Sequence, residues 1–318
     1  MTGIGIIRTA SYLPAKINTN EEVWKTVPGL DANWIIQKTG IKRRHHVTMG
    51  EGATMMSRIL SRRLIEDQGC VLYYPKNIGL IIISTFSHDY MFPPLSAIVH
   101  KSIGAPKDCQ ILDINTNCTG LITGTTIAVE RMKANPKIKY ALVIGVEVLS
   151  KYVDKTDKFT APFFSDGASG VLLGRVKEGF GHLNSAFCTD SSAYEDVRLK
   201  RGGYIEHNGK ETWTQAITNV PYVMKGVCHE ANIAMKDVDF FIFHQANKVM
   251  IDYIMDKNRI PHEKTYTNVQ EIGNTGAASI GIALDEAYRK GLIKSGSLLM
   301  LAGVGAGFNF GANLWKIQ

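Results

Sequence analysis

The sequence is poor in cysteine and has no paired cysteine motif. Its 318 residues include five cysteines, an odd number with no C-x-x-C spacing, at positions 70, 109, 118, 188 and 228. Scattered thiols of this kind argue against a disulfide framework and against a zinc site, and they favour a reduced, cytoplasmic setting. We therefore expect no metal centre, and most of these thiols to serve packing.

Long apolar runs and an export signal are also absent. No uninterrupted apolar run approaches about 18 residues, so no membrane-spanning helix is expected. The first residues, MTGIGIIRTASYLP, lack a basic segment followed by an apolar one, which argues against an export signal. A composition of 45% hydrophobic and 20% charged residues is that of a globular protein.

Negative charge is under-represented, and the formal net charge is +7. The excess lies partly in QKTGIKRRHH (37–46), RILSRR (58–63) and RLKR (198–201). Such stretches predict either a solvated basic surface, with His45 and His46 exposed, or a patch for an anionic partner. That partner could be a nucleotide-bearing thioester, an acidic carrier protein or nucleic acid. Because no recognition-helix or base-stacking motif is present, nucleic acid ranks last.

Apolar runs alternate with helical stretches along the chain. The clearest are IGLIIIS (78–84), QILDIN (110–115), YALVIGVEV (140–148), DFFIFH (239–244) and SLLMLAGV (297–304). Continuous hydrophobicity indicates strands buried on both faces, and hence an α/β fold.

The chain also repeats itself. An offset of 156 residues places Cys118 over Asn274, CTGLITGTTIAVE over NTGAASIGIALDE, and the strand after the first segment over the strand after the second. We expect two copies of one unit, residues 1–175 and 176–318. Small residues in both helices predict that the two helix starts pack closely together.

Cys118 stands where a strand ends and a nearly uncharged helix begins. A thiol at a helix N-terminus is expected to have a lowered pKa and a larger thiolate fraction. The alternatives are an inert core thiol and a nucleophile, and the polar neighbours Asn115, Thr116 and Asn117 favour the nucleophile.

Two further residues fit the same pattern. His244 ends a buried strand, where α/β folds place ligand crevices, and Asn274 opens the second helix, as a cap and as an amide donor. The glycine-rich AGVGAGFNFG (302–311) lacks the lysine and the following helix of a phosphate loop. It predicts a hairpin turn that can present a backbone N–H to an oxyanion. SDGASG (165–170) predicts a turn before a strand.

Six segments of the chain together resemble the β-ketoacyl-acyl-carrier-protein synthase III family of the thiolase superfamily. They are TASYLP (9–14), WIIQKTGIKRRH (34–45), FSDGASGVLL (164–173), HQAN (244–247), GNTGAAS (273–279) and GAGFNFGANL (305–314). The resemblance runs essentially end to end. It implies a thiolase-like five-layered α-β-α-β-α fold of two duplicated halves, in a homodimer.

The resemblance also implies a reaction. An acyl-CoA acylates Cys118, and a malonyl thioester, on CoA or on a carrier protein, then loses carbon dioxide while His244 and Asn274 donate hydrogen bonds to its thioester oxygen. The enolate attacks the acyl-enzyme and gives a β-ketoacyl product. Backbone N–H groups of Cys118 and Ala306 form the second oxyanion hole. CoA thioesters are substrates, and no cofactor is implied.

Substrate-binding roles follow from the same resemblance. Trp34 matches a residue that stacks on the CoA adenine, and Phe92 one that enters the partner subunit's acyl pocket. Asn247 belongs to the binding site as well. Lys38 and Lys158 stand where the family usually has arginine near the CoA phosphates, so the charge is kept and bidentate contact is lost.

Other departures concern the nucleophile and the carrier. Thr116 and Asn117 replace alanines, Ala306 replaces a glycine, and Val249 and Thr214 stand where the family has carrier-docking arginine and lysine. These changes predict a specialised relative, with secondary metabolism as one setting beside fatty-acid biosynthesis. Such a relative takes malonyl-CoA, a different carrier or an unusual acceptor.

Two other functions compete with condensation. The first is an acyltransferase that passes the Cys118 acyl group to an alcohol or amine, which has less use for Asn274. The second is a catalytically silent subunit of a heteromeric synthase, which would be expected to have lost its nucleophile.

Overall fold

A computed structural model describes residues 2–27, 29–67, 70–71 and 75–318. The side chain of Cys70 lies outside the described part. The helices are α1 Asn20–Trp24, α2 Ala32–Thr39, α3 Ala53–Ile65, α4 Leu95–Ile103, α5 Gly120–Ala134, α6 Gly209–Glu230, α7 Lys248–Lys257, α8 Val269–Ile272 and α9 Ser279–Arg289. The strands are β1 Gly3–Tyr12, β2 Lys16–Thr19, β3 Arg43–His46, β4 Glu66–Asp67, β5 Cys70–Val71, β6 Ile78–Ser84, β7 Gln110–Ile114, β8 Tyr140–Val148, β9 Asp166–Val176, β10 Gly181–Thr189, β11 Val197–Leu199, β12 Ile205–His207, β13 Phe240–Phe243, β14 Leu298–Gly305 and β15 Asn309–Lys316.

Two sheets share one strand order. The first runs β1-β9-β8-β6-β7 and the second β10-β15-β14-β13. In each sheet the first two neighbouring pairs are antiparallel and the third pair is parallel. The second sheet therefore repeats the first four strands of the first sheet, and the fold is built from two duplicated halves. The boundary at residue 175 stays a prediction, since β9 ends at Val176 and β10 begins at Gly181.

Side-chain alternation along β6 shows how the layers stack. Ile81 and Ile83 face α3 and α4, in the same core as Leu60 and Val99. Leu80 and Ile82 face the opposite way, into a core shared by α5, α9 and both sheets. The second sheet carries α6 and α7 on its outer face. The order is thus helices, sheet, helices, sheet, helices, as the sequence predicts.

Small residues let the two halves approach closely at the central layer. A Cβ built on Gly145 of β8 would lie 2.2 Å from the carbonyl oxygen of Ala277, just before α9. Ser169 of β9 donates a hydrogen bond to the carbonyl of Ala278 at 2.7 Å. The two helix starts themselves also meet, since a Cβ built on Gly120, the first residue of α5, would lie 3.4 Å from the Cβ of Ala277. The predicted close packing of the two helix starts is confirmed.

Two predictions about single segments are wrong. SDGASG is not a turn, because β9 begins at Asp166 and its small residues let the strand lie against β8 and α9. His45 and His46 are half-buried rather than exposed. In the same strand, β3, Arg44 is fully buried and donates hydrogen bonds to Pro162 O (2.7 Å) and Asn20 Oδ1 (2.9 Å). Part of this basic stretch therefore holds the fold together.

Within the described ranges, no helix combines the length and the apolar character needed to cross a membrane.

Candidate active site

Three side chains from distant parts of the chain line one cavity of about 1230 Å³. They are Cys118, His244 and Asn274. Cys118 follows β7, His244 follows β13, and Asn274 precedes the turn that leads into α9. The predicted convergence is therefore present, and it lies where the two halves meet.

Cys118 sits in a short 3-10 turn, Asn117–Thr119, directly before α5. Asn117 has a φ of 50°, a left-handed conformation that asparagine tolerates better than most residues. Its amide donates a hydrogen bond to the carbonyl of Ala306 at 3.3 Å. Thr119 contacts Asn309 through its hydroxyl. These contacts fix the turn against the β14–β15 hairpin.

The acidity of Cys118 differs from the prediction. Burial first, and the neighbouring Glu147 second, raise the pKa of the thiol to about 12, although the backbone N–H of Cys118 acts in the opposite direction. The prediction of a lowered pKa is wrong, because removing water from the sulfur outweighs the partial charge of the helix start. At neutral pH the free protein therefore holds a thiol.

Glu147 is a functional candidate that the sequence analysis missed. It is fully buried near the end of β8 and accepts hydrogen bonds from Ser87 Oγ (2.5 Å), Thr85 Oγ1 (3.3 Å) and the Phe86 N–H (3.4 Å). Burial raises its pKa to about 8, although these hydrogen bonds lower it. The sequence does contain a feature that points to this residue, since Glu147 is the one charged residue in the apolar run YALVIGVEV.

His244 is held from two sides. Its backbone N–H donates to the carbonyl of Ala302 at 2.9 Å, which extends the pairing of β13 with β14. Its Nδ1 lies 2.6 Å from Oγ of Ser279, the first residue of α9. Burial lowers the pKa of the imidazole to about 4, so the ring is neutral at pH 7 and can act as a hydrogen-bond donor rather than a cation.

Asn274 is oriented by its own loop. Its backbone pairs with Phe163 O (2.9 Å) and with the N–H of Ser165 (2.8 Å). Its Oδ1 accepts the N–H of Gly276 at 2.9 Å. Because the oxygen is occupied, the amide NH₂ remains to donate to a ligand in the cavity. Asn274 is not the predicted helix cap, because Thr275 precedes the 3-10 turn Gly276–Ala278 and Ala278 precedes α9. Its contact with Gly276 still leaves the amide free to act as a donor.

The glycine-rich segment forms the predicted hairpin. β14 and β15 are antiparallel with Gly305 opposite Asn309, and Gly307 in the turn has a φ of 133°. The Ala306 carbonyl accepts from Asn309 Nδ2 at 2.9 Å. Within the described ranges the Ala306 N–H has no backbone acceptor. It lines the same cavity as Cys118 and is available to an oxyanion.

Trp34, Lys38 and Asn247 also line the cavity. Asn247 caps α7, since its Oδ1 accepts from Val249 N (2.8 Å) and Met250 N (3.2 Å). Its Nδ2 donates to the carbonyl of Lys38 at 2.9 Å. The asparagine therefore joins α2 to α7 at the edge of the cavity.

Two predicted binding residues do not line the cavity. Lys158 places its Nζ 5.0 Å from the ring centre of Phe159, which does line it. Phe92 is 85% exposed, and its neighbour Met91 lines the cavity instead. A role for Phe92 in a partner's pocket remains a prediction.

Comparison with known proteins identifies the family. The family model for 3-oxoacyl-[acyl-carrier-protein (ACP)] synthase III matches residues 112–191, and the model for its C-terminal part matches residues 228–317. The β-ketoacyl-[acyl-carrier-protein] synthase III of Caldanaerobacter subterraneus is 33% identical over 98% of this chain and 97% of that protein. The chain belongs to the β-ketoacyl-acyl-carrier-protein synthase III family. This is a family of transferase-type condensing enzymes.

Solved structures agree with this membership. The crystal structure of 3-oxoacyl-[acyl-carrier-protein] synthase III from Aquifex aeolicus matches with a TM-score of 0.93 and 34% identity, over 99% of this chain and 100% of that one. The priming β-ketosynthase of the R1128 polyketide pathway matches with a TM-score of 0.92 at 24% identity, over 99% and 96% of the two chains. The second likeness concerns the fold alone. The thiolase-like fold predicted from the sequence is confirmed.

Proposed function

We propose that the protein joins an acyl group from an acyl-CoA to a malonyl thioester by decarboxylative condensation. The observation that carries the proposal is one cavity lined by a thiol, a neutral imidazole and an amide whose NH₂ has no partner among the described residues. Family membership supports the same reaction.

In the first half-reaction the sulfur of Cys118 attacks the acyl-CoA carbonyl. The C–S bond to CoA breaks, and the thiol proton leaves finally with the CoA sulfur, which gives acyl-Cys118 and free CoA. The backbone N–H groups of Cys118 and Ala306 stabilise the oxyanion of the tetrahedral intermediate. An apolar wall that includes Leu149, Phe164 and Ile205 suits the acyl chain.

In the second half-reaction the malonyl thioester loses carbon dioxide. His244 Nε2–H and the Asn274 amide donate to its thioester oxygen, so that electrons from the breaking C–C bond are held as an enolate. Neutral donors stabilise this charge without protonating the carbon that must attack. That carbon attacks acyl-Cys118, and the cysteine leaves as a thiolate and takes a proton from solvent.

The extender's carrier, the homodimer, the secondary-metabolism setting and the cytoplasmic location remain predictions. The relatives are named for the acyl carrier protein, whereas Val249 and Thr214 argue for a different carrier or for malonyl-CoA. The product analysis should therefore be run with malonyl-CoA and with a malonyl carrier protein.

Intact-mass measurement after incubation with a panel of acyl-CoAs tests the first half-reaction. We expect one acyl mass to be added to the protein and to be lost in Cys118→Ala, with Cys188→Ala as the matched thiol control. Survival of the adduct in Cys118→Ala would remove Cys118 as the nucleophile.

Product analysis with a malonyl thioester tests the second half-reaction. Release of carbon dioxide and formation of a β-ketoacyl thioester, both lost in His244→Ala, are the expected result. Transfer of the acyl group to an added alcohol or amine without decarboxylation would indicate an acyltransferase instead. An absence of acylation with every primer would favour a silent subunit.

A further inference from the structure

The two N–H groups that would stabilise an oxyanion come from different halves of the fold. Cys118 lies in the 3-10 turn before α5, and Ala306 lies in the turn between β14 and β15. Both residues line the cavity. Two donors act on one oxygen only when their spacing is fixed. The turn that holds Cys118 must therefore be kept in a fixed position relative to the hairpin that holds Ala306.

Side-chain amides connect these two segments on either side of Cys118. Directly before the cysteine, Asn117 Nδ2 donates to the carbonyl of Ala306 at 3.3 Å. Directly after it, the hydroxyl of Thr119 is hydrogen-bonded to Asn309 Oδ1. Asn309 Nδ2 in turn donates to the same Ala306 carbonyl at 2.9 Å. Two amides therefore hold this carbonyl, of which one belongs to Asn117 and the other is fixed by Thr119.

The backbones of the two segments also come close at this point. A Cβ built on Gly305 would lie 2.9 Å from the carbonyl oxygen of Thr116 and 2.9 Å from Asn309 Oδ1. Glycine at position 305 is what permits this approach. Because the contact leaves no room for an apolar side chain between the backbones, hydrogen bonds are what orient residue 306.

We propose that Asn117 and Asn309 are positioning residues that set the spacing of the two oxyanion-hole N–H groups. This inference rests on the proposed function, since the oxyanion forms only when a thioester is attacked at Cys118. Asn117 has a φ of 50°, in the left-handed region that asparagine tolerates better than most residues. With its carbonyl held by both amides, Ala306 cannot turn, and its N–H keeps its direction into the cavity. Both asparagines act through Ala306 rather than on the substrate.

The two half-reactions distinguish this role from a general structural one. Attack on the thioester carbon, in acylation and again in condensation, places negative charge on the oxygen beside the N–H groups of Cys118 and Ala306. Decarboxylation of the malonyl thioester places it instead on an oxygen held by His244 and Asn274. A change in the spacing of the oxyanion hole should therefore slow acylation and leave decarboxylation intact.

The experiment measures both steps in Asn117→Gly, Asn309→Ala and the double variant. Glycine at position 117 removes the amide without straining the left-handed backbone. Single-turnover acylation by an acyl-CoA is followed by mass, and carbon dioxide release from a malonyl thioester is followed without a primer. We expect the maximal rate of acylation to fall about tenfold in each single variant and about a hundredfold in the double variant, which approaches the loss of one donor. The half-saturating acyl-CoA concentration and the rate of decarboxylation should stay close to those of the unaltered protein.

Asn232→Gly is the matched control for Asn117→Gly. Asn232 has a φ of 52°, is exposed and does not line the cavity. The substitution makes the same chemical change in the same backbone conformation. It should leave the rates of acylation and decarboxylation as they are in the unaltered protein.

Three results would overturn the positioning role and leave the proposed function intact. Equal losses in acylation and decarboxylation would make the two amides general supports of the site. A higher half-saturating concentration with an unchanged maximal rate would mean that the side chains bind the acyl-CoA. Acylation that is unchanged in the double variant would mean that the amides do not set the oxyanion hole. If the unaltered protein is neither acylated nor able to decarboxylate a malonyl thioester, the proposed function itself fails.

Discussion

His244 Nδ1 and Ser279 Oγ lie 2.6 Å apart, and both residues are buried. The same hydroxyl accepts the backbone N–H of Gln245 at 3.3 Å. Within the described ranges the only acceptor near the hydroxyl proton is therefore His244 Nδ1. With Nδ1 accepting, the single proton of the neutral ring is on Nε2, where it can be donated to a thioester oxygen.

Removing that hydroxyl should impair only the second half-reaction. In Ser279→Ala the ring loses its fixed tautomer, so decarboxylation of a malonyl thioester should fall about tenfold or more. Acylation of Cys118 should continue, and both steps can be followed by mass and by carbon dioxide release. The pH profile of decarboxylation should also change shape, which a purely structural defect would not cause.

Ser169→Ala is the matched control for this substitution. Ser169 is also a buried serine that hydrogen-bonds beside the start of α9, but its partner is the Ala278 carbonyl rather than His244. Equal losses in the two variants would show that the helix position, not the imidazole, is what Ser279 supports.

Substitutions of Asn274 can separate its side-chain oxygen, which accepts a hydrogen bond within its loop, from its amide N–H, which donates to the substrate. Asn274→Asp keeps an oxygen that can accept from Gly276 N, and an ionised carboxylate has no N–H to donate. At pH 8 we expect decarboxylation to fall about a hundredfold while thermal stability stays close to that of the unaltered protein. Asn274→Ala should lose the same activity and, because it also loses the hydrogen bond that its Oδ1 accepts from Gly276 N, about 1 kcal/mol of stability. An active Asn274→Asp at pH 8 would contradict the donor role.

The fold was largely predictable because buried parallel strands have a distinctive composition. IGLIIIS and YALVIGVEV coincide with β6 and β8, residue for residue. The 156-residue offset predicted two copies of one unit, and the shared strand order follows because duplicated units keep their connections. SDGASG was misread because glycine and serine are typical of turns. In β9 they serve close contact with a neighbouring strand and helix, which depends on tertiary packing.

The residues that form the site could be predicted from the sequence, whereas their pKa values could not. Cys118 and His244 follow buried strands and Asn274 precedes a helix. These positions, together with the 156-residue offset and the family resemblance, identified them. The raised pKa of Cys118 depends on how much water the folded chain removes and on Glu147, 29 residues away in sequence. Neither quantity can be read from local sequence. The link between Ser279 and His244 is likewise a contact across 35 residues.

Glu147 should make stability depend on pH. Its ordinary pKa of 4.5 is raised to about 8 in the folded protein. Between these values the folded state binds the extra proton, so the free energy of unfolding should fall as pH rises. The loss is at most about 1.4 kcal/mol per pH unit. Glu147→Gln removes this dependence, and urea unfolding of both proteins at pH 5, 6.5 and 8 measures it.

The expected result is a stability difference that moves in favour of Glu147→Gln as pH increases from 5 to 8. A constant difference over that range would mean that Glu147 does not change protonation there. Above pH 8, iodoacetamide should label Cys118 faster in the variant, because the carboxylate that disfavours the thiolate is gone.

Gly145 tests the contact between the two halves. In Gly145→Ala the new Cβ would meet the carbonyl oxygen of Ala277 at 2.2 Å and its carbon at 2.7 Å, and backbone atoms cannot rotate away. We expect a loss of about 1–3 kcal/mol in the free energy of unfolding. Decarboxylation should fall as well, because the displaced turn follows directly after Asn274.

Gly209→Ala is the matched control for stability. Gly209 is the first residue of α6, and a Cβ built on it would meet nothing nearer than 3.7 Å. Chemical denaturation compares the two variants, whereas carbon dioxide release is compared with that of the unaltered protein, because Gly209 lines the cavity. A Gly145→Ala protein as stable as Gly209→Ala and as active as the unaltered protein would show that the halves are not held together at this contact.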